Sequence, residues 1–172
     1  MLYSYWEKTY LFKPTDFLVV GMGLTGLQTA INLKEQHKNA KVMVIDRHSW
    51  SVGASTRNAG FACFANLSEL LDDLQHHDAQ TAYKLVKDRF VGLKKLRQKF
   101  SDKAIGFEAT GSKEIFFQEN KDDMLRCIDS LQGVNTILSE ELGLDNTFVF
   151  SSNSPYKDSK GVITNQYEGV LN

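Results

Sequence analysis

Near the amino terminus, two periods of hydrophobic residues follow one another. Residues 17–20 are an apolar run that ends at Gly21, a pattern typical of a buried strand entering a tight turn. From residue 24 to 36 apolar residues recur at helical spacing, and residues 41–46 then form a second run rich in strand-favouring residues. Strand, helix and strand within about 30 residues predict a βαβ unit with parallel strands and a right-handed crossover.

The pattern further along the chain predicts mainly helices. Residues 48–65 are rich in Ser, Gly, Ala and Asn and have no period, which is typical of a loop or of a loop that opens a helix. A helical pattern capped by Asn66 or Ser68 then runs to about residue 100, and a polar interruption divides it into two helices, the second capped by Asp78. The remaining predicted elements are strands at 115–117 and 147–150, a helix at 122–131 and an apolar pair at 162–163.

Composition and charge narrow the class of protein. With 172 residues, 42% hydrophobic and 24% charged, the chain has the composition of a globular domain with a core of its own. The net charge of −1 argues against a nucleic-acid partner. We find no apolar run long enough to span a bilayer and no secretory signal pattern, so we expect a cytoplasmic protein. The two cysteines, Cys63 and Cys127, are too few for a disulfide framework or a metal site, and we expect both to be small packing residues.

The residues between the first strand and the first helix, Gly-Met-Gly-Leu-Thr-Gly at 21–26, form a complete G-x-G-x-x-G. The first glycine permits the tight turn, the second lets a pyrophosphate approach the backbone, and the third lets the helix pack closely on the strand. Asp46 ends the second strand, where an acidic group accepts hydrogen bonds from ribose hydroxyls. These features predict a dinucleotide site, and the alternative is a glycine-rich turn of another α/β fold. Arg47 is compatible with a 2′-phosphate but is more typical of a solvated surface residue.

A second motif, Gly-Ala-Ser-Thr-Arg-Asn-Ala-Gly-Phe at 53–61, directly follows the second strand. It resembles the segment that runs under the flavin in FAD-dependent oxidoreductases of the D-amino-acid oxidase superfamily, including glycine-oxidase-like and gamma-glutamylputrescine-oxidase-like members. Ser-Tyr-Trp at 4–6 and Tyr-Glu-Gly-Val-Leu-Asn at 167–172 resemble further segments of that family. The resemblance covers the whole chain and is most specific at 21–26 and 53–61.

The resemblance implies that FAD is the cofactor and that the intact enzyme oxidises the C–N bond of an amine or amino acid by hydride transfer to the flavin. Ser55 and Thr56 are then expected to hydrogen-bond phosphate or ribityl oxygens, and Arg57 and Asn58 to meet phosphate or flavin carbonyl oxygens. A loop-ordering role is the alternative for Ser55, and a structural salt bridge for Arg57. No catalytic residue and no metal ligand is identified. The expected cofactor-binding residues are Gly21, Gly23, Leu24, Thr25, Gly26, Asp46, Arg47, Ser55, Thr56, Arg57, Asn58, Ala59 and Gly60.

The expected fold class is α/β, a Rossmann-like FAD-binding βαβ unit with additional helices and the start of a substrate-domain sheet. We expect residues 1–110 to form the FAD-binding portion and residues 111–172 the start of the substrate domain. Because members of the family are longer, we also expect an incomplete fold that is inactive alone, with a carboxy-terminal half or a second chain as partner beside the small-molecule amine or amino-acid substrate. Two alternatives remain open, an NAD(P)-dependent Rossmann dehydrogenase and an inactive truncated product or interaction module.

Overall fold

The computed structural model describes residues 3–12 and 14–171, so Asn172 of the last motif lies outside the described residues. Its contacts divide the chain into two compact units, Met1–Ala59 and Gly60–Asn172. The fold is mixed α/β, as predicted. The strands are β1 (Phe17–Val20), β2 (Val42–Ile45), β3 (Phe61–Ala62), β4 (Ser112–Phe116), β5 (Phe148–Ser151), β6 (Gly161–Asn165) and β7 (Gly169–Val170). The α-helices are α1 (Leu24–Gln36), α2 (Leu67–His76), α3 (Ala79–Phe100) and α4 (Lys121–Leu142).

The first unit contains the predicted βαβ arrangement. β1 and β2 are parallel, with Phe17 opposite Val42 and Val20 opposite Ile45, and α1 joins them. Lys34 lies in the last turn of α1 and stabilises the end of the helix. Its Nζ donates to the carbonyl oxygens of residues 38 and 40, both at 2.8 Å. Strand direction, strand positions and helix bounds therefore all follow the hydrophobic pattern.

The second unit is built on a three-stranded antiparallel sheet in the order β4-β6-β5. Helices α2, α3 and α4 pack with this sheet around one hydrophobic cluster. Its largest side chains are less than 2% exposed and come from the helices, from the strands and from the segment before α2. They are Phe64, Phe116, Phe148, Leu67, Leu70, Leu138 and Ile163. Burial of such side chains contributes about 1.5–3 kcal/mol each, so this cluster is the main source of stability in the unit.

The polar interruption between α2 and α3 is confirmed. Asp78 precedes α3 and accepts the Thr81 N–H at 2.9 Å, and the Thr81 hydroxyl donates back to its other carboxylate oxygen at 2.7 Å. Asn66 occupies the corresponding position before α2 but makes no side-chain capping bond. The helix therefore begins where the pattern placed it, with Asn66 as the N-cap residue as predicted, but without a side-chain hydrogen bond at that position.

Helix α4 is longer than the helix predicted at 122–131. It continues through Gly133 because Val134 and Leu138 extend the buried face that Met124 and Cys127 begin. It ends at Gly143, whose φ of +68° lies in the left-handed region that glycine adopts without strain. Burial along one face outweighs the weak helix propensity of a single glycine.

The last motif of the chain forms β7, which pairs with β3 in antiparallel fashion. Gly169 lies opposite Ala62, and Val170 exchanges two backbone hydrogen bonds with Glu108, at 2.9 and 3.0 Å. A Cβ on Gly169 would stand 2.1 Å from the Glu108 carbonyl oxygen, so the close approach of these backbones requires glycine. Two-residue strands carry no detectable period, which is why the pattern did not predict them.

Glu168 ties this motif to the segment that leads into α2. Its side chain is 0% exposed, and Oε1 accepts the N–H groups of Phe64 at 2.6 Å and Ala65 at 2.9 Å. Buried backbone N–H groups need an acceptor, and a carboxylate that accepts two of them makes strong, charge-assisted bonds. The carboxylate therefore satisfies two buried backbone N–H groups in the segment that precedes α2.

We expect Glu168→Ala to lower the free energy of unfolding of the second unit by about 2–5 kcal/mol, because two buried N–H groups lose their acceptor. Glu168→Gln keeps one acceptor oxygen and should cost less. Urea unfolding followed by helical circular dichroism measures this, since α2, α3 and α4 all lie in that unit. The matched control is exposed Glu140→Ala, expected within about 0.5 kcal/mol of the wild type. Equal costs for Glu168→Ala and Glu140→Ala would contradict the assignment.

Candidate cofactor-binding site

The glycine turn between β1 and α1 is held by close backbone contacts. Gly21 has a φ of +106°, in the left-handed region, and its N–H donates to the carbonyl oxygen of Ile45 at 2.7 Å. A Cβ on Gly26 would stand 2.0 Å from the Gly21 carbonyl oxygen. The first and third glycines therefore have the steric roles predicted for them, a tight turn and close helix packing.

The amino terminus of α1 meets the second motif. The Leu24 N–H donates to Ser55 Oγ at 3.0 Å, and a Cβ on Gly23 would stand 3.1 Å from the same oxygen. The first turn of a helix leaves N–H groups without intrahelical partners, and Ser55 satisfies one of them. The structure thus brings three predicted site residues together at one point of the first unit.

Asp46 lies at the carboxyl end of β2, beside the turn. Its Oδ2 accepts the Met22 N–H at 2.7 Å and its Oδ1 accepts the His48 N–H at 3.2 Å. These bonds, that of Met22 first, lower the pKa of the Asp46 carboxyl below its ordinary value, so it is ionised at neutral pH. The contact with Met22 is a feature that sequence reasoning missed, because the motif indicates only a ribose-binding role for the acid.

The other polar residues of the second motif order their own loop. Residues 54–56 form a 3₁₀ turn, the Thr56 hydroxyl donates to the Ser51 carbonyl oxygen at 2.7 Å, and Asn58 Nδ2 donates to the Ser55 carbonyl oxygen at 2.9 Å. Arg57 is exposed and makes no ion pair within the described part of the chain. Contacts of these residues with phosphate or flavin therefore stay predictions, as they do for Thr25, Arg47 and Ala59.

Gly60 belongs to the second unit and its backbone contacts Leu171 of the last motif. Its φ is +72°, its carbonyl oxygen accepts the Leu171 N–H at 2.7 Å, and a Cβ would stand 2.3 Å from the Leu171 carbonyl oxygen. A glycine is thus required here by the approach of the chain's own backbone. Its predicted approach to the cofactor is not tested by this contact.

Of the two cysteines, one differs from expectation. Cys127 is buried and packs in the core, as predicted. Cys63 is exposed, so the expectation of a buried packing residue is wrong. Partial burial of its thiol, together with the charge and hydrogen bond of Glu168, raises the pKa of Cys63 to about 12. The position alternates with buried Ala62 and Phe64 on a short strand and its extension, which places its side chain on the opposite face.

These residues fit a dinucleotide. The space at the Cβ position of Gly21 is open to 4 Å, and the Cβ position of Gly23 faces only Ser55, so the turn leaves room for a pyrophosphate to approach the backbone. Asp46 retains lone pairs for ribose hydroxyls on both carboxylate oxygens. Strand, glycine turn, helix and acid at the end of the next strand define a Rossmann-type dinucleotide-binding protein.

The comparison with protein families agrees with a dinucleotide-binding protein and identifies the family. The model of the DAO family, described as FAD dependent oxidoreductase, matches residues 16–151, most of the chain. The chain therefore belongs to the DAO family of FAD-dependent oxidoreductases, and its cofactor is FAD. This favours FAD over the nicotinamide alternative. No curated protein matches the chain.

None of the helices in residues 3–12 and 14–171 is both long and apolar enough to cross a bilayer. Over the same residues, no group of three or more His, Cys, Asp or Glu side chains is placed to hold a metal ion.

We expect Gly26→Ala to prevent stable FAD binding and to destabilise the first unit by about 3 kcal/mol, because the new methyl group would force α1 away from the turn. Amide hydrogen exchange at a series of urea concentrations, read by mass spectrometry, measures the stability of each unit separately. Gly92→Ala is the matched control. Its Cβ meets nothing within 4 Å and it lies inside α3, so stability should stay equal or rise slightly. Normal FAD retention by Gly26→Ala would contradict the close-packing role.

Cys63 should be a poor nucleophile despite its exposure. A pKa of about 12 leaves almost no thiolate at pH 8, and only part of this loss is offset by the higher nucleophilicity of a more basic thiolate. We expect iodoacetamide to alkylate Cys63 on the order of ten- to a hundredfold more slowly in the folded chain than in urea. Peptide mass spectrometry separates it from Cys127. Glu168→Gln should speed the reaction, and equal rates in the folded and unfolded chain would contradict the environment described.

Proposed function

We propose that the chain forms the FAD-binding part of an oxidoreductase that acts on an amine or amino acid. The observation that carries the proposal is the contact of Ser55 Oγ with the Leu24 N–H, which joins the flavin-type motif to the phosphate-binding turn. The substrate class rests on the resemblance of residues 53–61, 4–6 and 167–172 to amine- and amino-acid-oxidising members of the family.

FAD would be held by the glycine turn, by Asp46 and by the second motif. Asp46 would accept hydrogen bonds from the adenosine ribose, and the N–H groups at the start of α1 would meet the pyrophosphate. Ser55 and Thr56 would face phosphate or ribityl oxygens, and Arg57 would supply positive charge. When bound, FAD supplies the hydride acceptor for the C–H bond next to the nitrogen, so that the substrate leaves as an imine that water hydrolyses to a carbonyl compound.

The second unit contains the residues that we propose as the start of the substrate domain. Strands β4, β5 and β6 and the helix α4 form an antiparallel layer separate in type from the parallel βαβ unit. The predicted boundary after residue 110 lies just before β4, whereas the compact units divide after Ala59. We keep the proposed start of the substrate domain at 111, where the first strand of the antiparallel sheet follows, although α2 and α3 pack on that sheet.

The visible absorption spectrum of the purified chain tests this proposal. We expect the chain to retain added FAD through gel filtration, to catalyse no turnover alone, and in the intact enzyme to lose the oxidised-flavin band when an amine or amino acid is added without oxygen. The control substrates are the matching alcohols and hydroxy acids, which should leave the band unchanged. Bleaching by these controls but not by amines would contradict the substrate class, and a chain that ignores FAD would contradict the cofactor site.

A further inference from the structure

Two carboxylates tie the strands of the first unit together, one at each end. Asp16 Oδ2 accepts the Lys41 N–H at 2.7 Å, just before the parallel strands begin. Asp46 Oδ2 accepts the Met22 N–H at 2.7 Å, just after the strands end. The two bonds have the same length and the same chemistry, a carboxylate oxygen with one backbone N–H. They differ in place, because only the second lies on the glycine turn.

The bond to Met22 is one of the restraints on the glycine-rich turn. Met22 lies between Gly21, at a φ of +106°, and Gly23, which is extended, and glycine has more backbone freedom than any other residue. The N–H of residue 21 donates to the Ile45 carbonyl oxygen and the N–H of residue 22 to Asp46. Two successive peptide planes of the turn are thus fixed against the end of β2. Such ordering before binding lowers the entropic cost of taking up a ligand.

The ordering of the turn favours phosphate binding, whereas the negative charge of Asp46 opposes it. A carboxylate beside the turn repels a pyrophosphate, so its presence there weakens anion binding unless it contributes something else. A contact with ribose hydroxyls is one contribution, and the geometry supplies a second. The two are separable, because the ribose contact needs hydroxyl groups on the ligand and the turn contact does not.

We propose that Asp46 is a positioning residue for the phosphates of FAD, in addition to any contact with the ribose, because its carboxylate holds the glycine turn through the Met22 N–H. This inference rests on the proposed cofactor site. It predicts that the acid affects the binding of a nucleotide that has no ribose hydroxyl groups at all.

The test compares Asp46→Asn and Asp46→Ala in the full chain, with ADP and with 2′,3′-dideoxy-ADP as ligands. Both variants remove the charge, but only the asparagine keeps an acceptor oxygen for Met22. We expect the alanine variant to bind 2′,3′-dideoxy-ADP about three- to tenfold more weakly than the asparagine variant, the range for one lost hydrogen bond. Chemical-shift titration measures this affinity, and amide exchange at Met22 should be faster in the alanine variant without any ligand.

The matched control is the pair Asp16→Asn and Asp16→Ala. It removes an equivalent bond from the same unit, so it should speed amide exchange at Lys41 and leave the affinity ratio for 2′,3′-dideoxy-ADP at one. A ratio of one for the Asp46 pair with this ligand, but not with ADP, would show a ribose contact only and overturn the inference alone. Failure of the wild-type chain to bind ADP or FAD would overturn the proposed cofactor site and the inference with it.

Discussion

The first unit depends on one close contact, the passage of α1 over the carbonyl oxygen of Gly21. A Cβ at position 26 would stand 2.0 Å from that oxygen and 3.5 Å from Cγ1 of Val19, the one buried side chain of β1. Only glycine permits the helix to start this near the strand. The nearness in turn places the amino terminus of α1 beside the end of β2, where an acidic side chain can reach the turn. The site chemistry is therefore a consequence of backbone packing.

The second unit has a comparable close contact, but between residues that are far apart in the sequence. Residues 60–65 are held by residues 168–171 through strand pairing, through the Gly60–Leu171 contact and through the buried Glu168 carboxylate. Because the partners are about a hundred residues apart, closing this contact costs more chain entropy than a local contact would. The Glu-Gly pair of the last motif is thus explained by packing, since the acid satisfies two buried N–H groups and the glycine lets two backbones meet.

The difference between what was predicted and what was missed follows from the range of the interactions. The βαβ unit, the break before Asp78 and the roles of Gly21 and Gly26 depend on period or on neighbours within a few residues, so the sequence alone was sufficient. The acceptors for Leu24, Met22 and Phe64 lie 31, 24 and 104 residues away, and no local pattern indicates them. The exposure of Cys63 was missed for the same reason, because it depends on a two-residue strand whose partner is distant.

The choice between a flavin and a nicotinamide cofactor does not depend on the glycine turn. Turn, helix and acid serve both kinds of dinucleotide in the same way. What separates them is the segment after β2, which in a nicotinamide enzyme has no defined role and would be an ordinary loop. Here its residues are internally ordered, since Thr56 bonds Ser51 and Asn58 bonds Ser55, and Ser55 itself reaches the start of α1. The family match spans this segment as well as the turn. The choice of FAD therefore rests on this match and not on the turn, because both kinds of dinucleotide extend beyond the pyrophosphate along the protein.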